Sequence, residues 1–180
     1  HETWFNLGDK DFATHIYRTH LLKRGFSLSD TTKKLCQKLK LSAKILPMTD
    51  DKFETKVVTV AGTMPFQDYF VKTKAQDEVI NVTFEGAEKA QPASGVVDSI
   101  LSSDAVIVCP SNPIVSIGTI LSVKGIKNAL EKTEAKVAAI SPIVGGSPIK
   151  GPADKLMRGL KLEVSAYAVA NLYRTFLDTF

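Results

Sequence analysis

The chain has 180 residues, with 23 Lys+Arg against 19 Asp+Glu, and 44% of it is hydrophobic. That balance excludes bulk disorder, and a single domain of this size can bury a full core. Two cysteines exclude a disulfide scaffold and fit a reducing, cytoplasmic compartment; the net charge of +4 is too mild to demand nucleic acid.

The start, HETWFNLGDKD, has acids and no apolar core, so it does not read as a signal peptide. Asp9 or Asp11 caps a predicted helix running to Arg24, with Phe12, Ile16, Leu21 and Leu22 as its apolar positions and Gly25 as its stop. A second helix starts at Ser27 or Ser29 and buries Leu28, Leu35, Cys36 and Leu39. Its lysines, with Lys23, Arg24 and Lys44, read as a solvated face; no aromatic residues are interleaved for stacking on bases. A short strand is expected at Ala43–Leu46, ended by Pro47.

From Thr55 to Phe84 the period becomes two. Lys56–Val60, Met64–Val71 and Val79–Phe84 predict an antiparallel β excursion, turning at Ala61-Gly62 and stopped by Gly86. From Ala93 the pattern is αβαβ: a helix over 95–103, the apolar strand Ala105–Cys109, a helical region broken by Gly118 and Gly125, and the strand Lys136–Ile140. Helices at Ala153–Leu160 and Ala166–Leu177 follow. Apolar strands between helices predict a Rossmann-like α/β fold, with a mainly parallel sheet whose interior strands are covered by helices on both faces. No run approaches ~18 apolar residues, so no membrane span is expected.

Ligands of such sheets bind outside the carboxyl ends of the strands. The two strands end in similar loops, Cys109–Gly118 and Ser141–Pro152, dense in Pro, Gly, Ser and Asn. Gly145 and Gly146 permit close backbone approach to an anion. Ser111 and Asn112 offer hydrogen bonds, a following helix N-terminus offers N–H groups, and Lys150 offers charge. The same residues also make ordinary turns. No G-x-G-x-x-G or G-x-x-x-x-G-K-[ST] fingerprint occurs. The acid pairs Asp9/Asp11 and Asp50/Asp51 suit either Mg²⁺ or an exposed turn. His15 and His20 fall on different faces of one helix, and Cys36 and Cys109 read as core thiols. The residues by themselves reach an α/β domain with a phosphorylated ligand.

Five ordered segments go further: Trp4–His15 (WFNLGDKDFATH), Leu46–Asp51 (LPMTDD), Phe66–Val71 (FQDYFV), Pro110–Gly118 (PSNPIVSIG) and Ser141–Gly146 (SPIVGG), with Lys150-Gly151-Pro152 behind. Together they resemble the 2-phospho-L-lactate transferase family of coenzyme F-420 biosynthesis. The resemblance implies a cytoplasmic Mg²⁺-dependent transferase. It would move a 2-phospholactyl or phosphoenolpyruvyl group from a guanosine diphosphate conjugate to the ribityl hydroxyl of a deazaflavin acceptor, 7,8-didemethyl-8-hydroxy-5-deazariboflavin, releasing GMP. No nucleic-acid or membrane partner is implied; a homodimer is expected.

Carried across, Asn6, Trp4, Thr49 and Phe70 would face the deazaflavin. Ser111, Asn112, Ser116, Gly145, Gly146 and Lys150 would face the nucleotide and its phosphates, and Asp50 and Asp51 would hold the metal. The family pattern also has a Gly-rich segment ahead of the Trp-Phe motif and a C-terminal extension. Neither is in the 180 residues, which therefore read as a central portion, inactive by itself. The alternatives are a non-enzymatic nucleotide-sugar-binding regulator of the same superfamily or an inactive fragment.

Overall fold

The computed structural model describes residues 6–180. Helices α1 (Asp9–Lys23) and α2 (Leu28–Lys38) form a hairpin. Neither Asp9 nor Asp11 caps α1 as expected: Gly8 is its N-cap, with no side-chain cap bond, and the two acids sit in its first turn, with His20 and Lys23 in its last, as the helix dipole favours. The Ser27 hydroxyl caps α2 by accepting from the Asp30 amide. The apolar positions expected to be buried on α1 are not one stripe: only Leu21 is buried, while Phe12 is 57% and Ile16 54% exposed. Helical rotation explains this, because Leu21 lies about 180° around the axis from Phe12. On α2 the buried residue is Thr31, and Leu39 is exposed. Residues 43–46 form no strand, since no neighbouring strand among the described residues offers them a ladder.

The excursion is a three-stranded antiparallel sheet, β2-β1-β3, of β1 (Glu54–Thr59), β2 (Gly62–Pro65) and β3 (Val79–Glu85). Thr59 pairs with Gly62, so the tight turn is at Val60-Ala61, one residue earlier than expected. The strand predicted to continue to Val71 ends at Pro65. Residues Asp68–Lys72 instead wind into a π-helical turn that buries Tyr69 completely. Lys56 pairs with Glu54 and Glu85, which raises the lysine's pKa and lowers that of Glu85.

The second half runs α3 (Val96–Leu101), β4 (Ala105–Val108), a π-helical turn (Pro113–Gly118), α4 (Thr119–Leu121), α5 (Ile126–Lys132) and β5 (Lys136–Ala139). The hairpin β6 (Ile143–Val144)/β7 (Ser147–Pro148) comes next, before α6 (Ala153–Gly159) and α7 (Ala166–Tyr173). Strands β4 and β5 pair in parallel and in register from Ala105↔Lys136 to Val108↔Ala139, and Thr179 bridges to the other side of β5 at Ala138. This is the α/β architecture the sequence predicts.

The expectation that both strands are interior, with both faces covered, does not hold for β4. No strand among the described residues pairs with its outer edge. Val106 and Val108 pack on the core, while Ala105 faces out and Ile107 is 64% exposed. The period of two in a strand turns alternate side chains to opposite faces, and among the described residues only one face of β4 has a layer over it. Cys109, expected in the core, is exposed at the strand's end. One core joins the excursion to the α/β half: Val57 and Tyr69 pack with Ile126, Val137, Leu156, Met157 and Val169.

Candidate functional site

A cavity of about 460 Å³ opens where β4 and β5 end, a size that suits a ligand of nucleotide or cofactor dimensions. Pro110, Ser111 and Asn112 enter it from the loop after β4, and Val115 and Ser116 from the π-helical turn. The segment after β5 contributes Pro142 and Ile149–Ala153. Phe66 and Phe70 close the remaining side. Their rings stack at 5.7 Å with planes 6° apart. Both π-helical turns of the described chain thus border one cavity, and such turns are frequent at functional sites.

The lining is mostly apolar and contains one charged residue, Lys150. The Lys150 ammonium and the Ser111 and Ser116 hydroxyls have no hydrogen-bond or ion-pair partner among the described residues. An apolar pocket with a few convergent, unengaged donors and a lone cation suits a flat molecule carrying an anionic group.

Asn112 is differently employed. Its Oδ1 accepts from the Ile114 and Val115 amides at 3.0 and 3.2 Å, capping the π-helical turn. Pro113 follows as the first residue of the turn, where its missing N–H costs nothing. At the far end, a Cβ on Gly118 would lie 2.9 Å from the Pro113 carbonyl oxygen, so the turn closes tightly only around glycine.

Of the predicted site residues, the cavity gathers Phe70, Ser111, Asn112, Ser116 and Lys150. Gly145 and Gly146 do not line it. They form the tip of the β6/β7 hairpin with φ of 58° and 79° and open space around both. Thr49, Asp50 and Asp51 are also outside the lining and are engaged elsewhere. Buried Thr49 donates to the Gln91 carbonyl at 2.6 Å. Asp50 accepts from both the amide and the hydroxyl of Ser29 at the start of α2. Asp51 accepts from the Gln91 amide at 2.8 Å. Asn6 is exposed just ahead of α1, and Trp4 lies outside the described residues.

No group of three or more His, Cys, Asp and Glu able to hold a metal occurs among the described residues. The Asp50/Asp51 pair does not fit a magnesium site, because three of its oxygens already serve Ser29 and Gln91. Sequence reasoning missed Phe66, Ile149 and the prolines of the lining. Phe66 was detectable from its helical i,i+4 spacing to Phe70 directly after Pro65.

Fold and cavity together define an α/β protein with a cavity at the carboxyl ends of parallel strands. The fold is shared with a solved Bacillus halodurans protein of the UPF0052 family. Two crystal structures of it align at TM-scores of 0.57 and 0.63 with 15% and 14% identity. They cover 69% and 91% of this chain, and 39% and 50% of that one. The family model described as 2-phospho-L-lactate transferase CofD matches residues 1–178, and the chain belongs to that family. A phosphoenolpyruvate transferase of Streptomyces griseus subsp. griseus is 45% identical over 174 residues, covering 94% of this chain and 55% of that protein. A 2-phospho-L-lactate transferase of Methanosarcina acetivorans is 44% identical over 179 residues, covering 99% and 58%. The chain thus spans little more than half the length of these relatives. No helix among the described residues is long and apolar enough to cross a membrane.

Proposed function

We propose that this chain carries the substrate cavity of a transferase in coenzyme F-420 biosynthesis. The donor is a guanosine diphosphate conjugate of lactate or enolpyruvate, and the acceptor is the deazaflavin 7,8-didemethyl-8-hydroxy-5-deazariboflavin. The acceptor's ribityl oxygen attacks the phosphorus that bears the lactyl or enolpyruvyl group. The bond from that phosphorus to the bridging oxygen breaks, GMP leaves with that oxygen, and the hydroxyl proton is released. Such a reaction asks mainly for positioning and for neutralisation of the charge that moves to the leaving phosphate.

The observation that carries this reading is the composition of the cavity. Stacked Phe66 and Phe70 give a flat apolar wall, and Lys150, Ser111 and Ser116 supply unengaged charge and hydrogen bonds. Phe70 is assigned to the acceptor ring. Ser111, Asn112, Ser116 and Lys150 are assigned to the donor. The assignment extends to Asn6 and Trp4 for the acceptor through the family resemblance alone. Mg²⁺ dependence, a cytoplasmic setting and a homodimer belong to the same reading, with no step routed through Asp50 and Asp51.

Because the chain spans little more than half of its relatives, separate binding of each substrate is the test, not turnover. Titration should quench the deazaflavin's fluorescence, and calorimetry should detect GDP. Phe70→Ala should weaken the first by about 1–3 kcal/mol, the scale of losing an aromatic wall, and spare the second. Loss of GDP binding alone in that variant would reject the assignment.

A further inference from the structure

Helix α1 carries more apolar surface than its neighbours cover. Among the described residues it packs chiefly on α2 and buries only Leu21, on one side of its axis. The opposite side holds a stripe of Asp9, Phe12, Ile16, Thr19 and Lys23, every one of them exposed. Alternate steps of three and four residues keep the stripe within an arc of about 80°, and that alternation is the seam of a helix pair. A shallow hollow of about 420 Å³ runs along it. Phe12, His15, Ile16 and Thr19 border the hollow, the i, i+3, i+4 and i+7 positions that receive a knob from a facing helix.

The stripe is also its own complement. Ile16 stands at its middle, with Asp9 and Lys23 equally far on either side. A second copy turned end for end about that residue seats each Ile16 in the hollow of the other. Phe12 then lies against Thr19 and His20, and Asp9 of one copy meets Lys23 of the other, each contact made twice. Neither the Asp9 nor the Lys23 side chain has a hydrogen-bond or ion-pair partner among the described residues. A parallel pair would instead set acid on acid and base on base, with the two helix dipoles aligned.

We propose that α1 joins two copies of this chain as an antiparallel helix pair about a two-fold axis at Ile16. The proposal rests on the homodimer of the reading above and not on what the cavity binds. The contact is isologous, so it closes at two copies. One pair of helices of about four turns is smaller than a standard interface, and the dissociation constant should be on the order of 10–100 µM.

Sedimentation equilibrium of the chain should show reversible dimerisation that weakens as salt rises. Ile16→Glu places two like charges at the axis and should leave a monomer. The position is exposed and Glu favours helix, so its far-ultraviolet circular dichroism should match the wild type. Asp9→Lys alone and Lys23→Glu alone each turn two attractions into two repulsions, and each should weaken dimerisation about tenfold. Mixed in equal amounts, these two variants again bring opposite charges together, and a heterodimer of near wild-type strength should form. Damaged helices would not restore one another in that way. A wild-type chain still monomeric at ~0.5 mM, well above the expected constant, overturns this inference and the homodimer together. A dimer indifferent to Ile16→Glu and to both charge changes, or a mixture that fails to recover, overturns this inference alone and leaves the homodimer to another surface.

Discussion

The loops after β4 and β5 share a vocabulary of Pro, Ser, Gly and small polar residues, yet they fold in opposite ways. The first closes on itself: Asn112 and Pro113 end every free amide from 113 to 117, and the turn lines the cavity. The second reaches outward as a hairpin, with Gly145 and Gly146 at its tip, and only the residues after it return to the cavity. Similar composition gave two structures because the glycines differ in what they permit. Gly118 permits a close approach between backbone atoms, whereas Gly145 and Gly146 permit a left-handed turn. Glycine in a loop therefore signals ligand contact only when the backbone reason for it has been found.

Substitutions at four positions would break or sharpen this contrast. The largest effect should come from Gly118→Ala, whose Cβ meets the Pro113 carbonyl oxygen in a packed turn. Overpacking of this kind costs about 2 kcal/mol, readable as a lower urea midpoint, with the cavity probes weakened as well. Asn112→Ala removes the cap and should cost about 1.5 kcal/mol by the same measurement, and Asn112→Asp should recover most of it. Gly146→Ala forces a left-handed residue to carry a Cβ and should cost about 1 kcal/mol, leaving GDP and pyrophosphate binding unchanged. A loss of binding in that variant would return the hairpin tip to the site.

The smallest effect concerns the strands that feed the two loops. Asp178 accepts from the Val137 amide at 2.8 Å and from Lys136 Nζ at 3.0 Å, and these contacts, the first above all, hold its carboxyl below the usual range. A depressed folded-state pKa gives stability that is complete above the unfolded value of ~3.9 and is lost as pH falls through the lower folded value. Asp178→Asn should lower the melting temperature at neutral pH and converge with wild type in acid. A constant difference across that range would remove the carboxylate's charge from the account.

Much of the fold was legible because periodicity reports it locally. Acids in the first turn of α1 and Gly25 after it bounded one helix, and the apolar runs Ala105–Val108 and Lys136–Ala139 marked the parallel pair. Residues 66–71 misled because four of them are apolar or aromatic enough to pass for a strand, while Tyr69 needed a helical turn to reach the core. Exposure of Ile107 was illegible for another reason: an apolar strand looks the same whether or not a layer covers each face. At the strand ends, residue types pointed to Ser111, Asn112 and Lys150, which line the cavity, and to Gly145 and Gly146, which do not; Ser116 came from the family resemblance. The acid pair could not be read that way, since hydrogen bonds to residues 21 and 40 positions away decide what Asp50 and Asp51 do.

Those distant contacts have a consequence for how the molecule comes apart. Thr49 and Asp51 grip Gln91 from both its backbone groups, and the Ala93 amide reaches the Met48 carbonyl at 3.0 Å beside them. The whole antiparallel excursion therefore hangs from a stitched neck, its entry and exit held side by side. With its ends joined, the excursion recloses without again losing the entropy of bringing them together, a cost that grows with loop length only logarithmically. The excursion is thus suited to open and reclose as one cooperative unit beneath global unfolding. Amide exchange along β1 and β3 would then follow a shared rate, governed by the knot at Thr49 and Gln91 and insensitive to the hairpin at the other end of the chain.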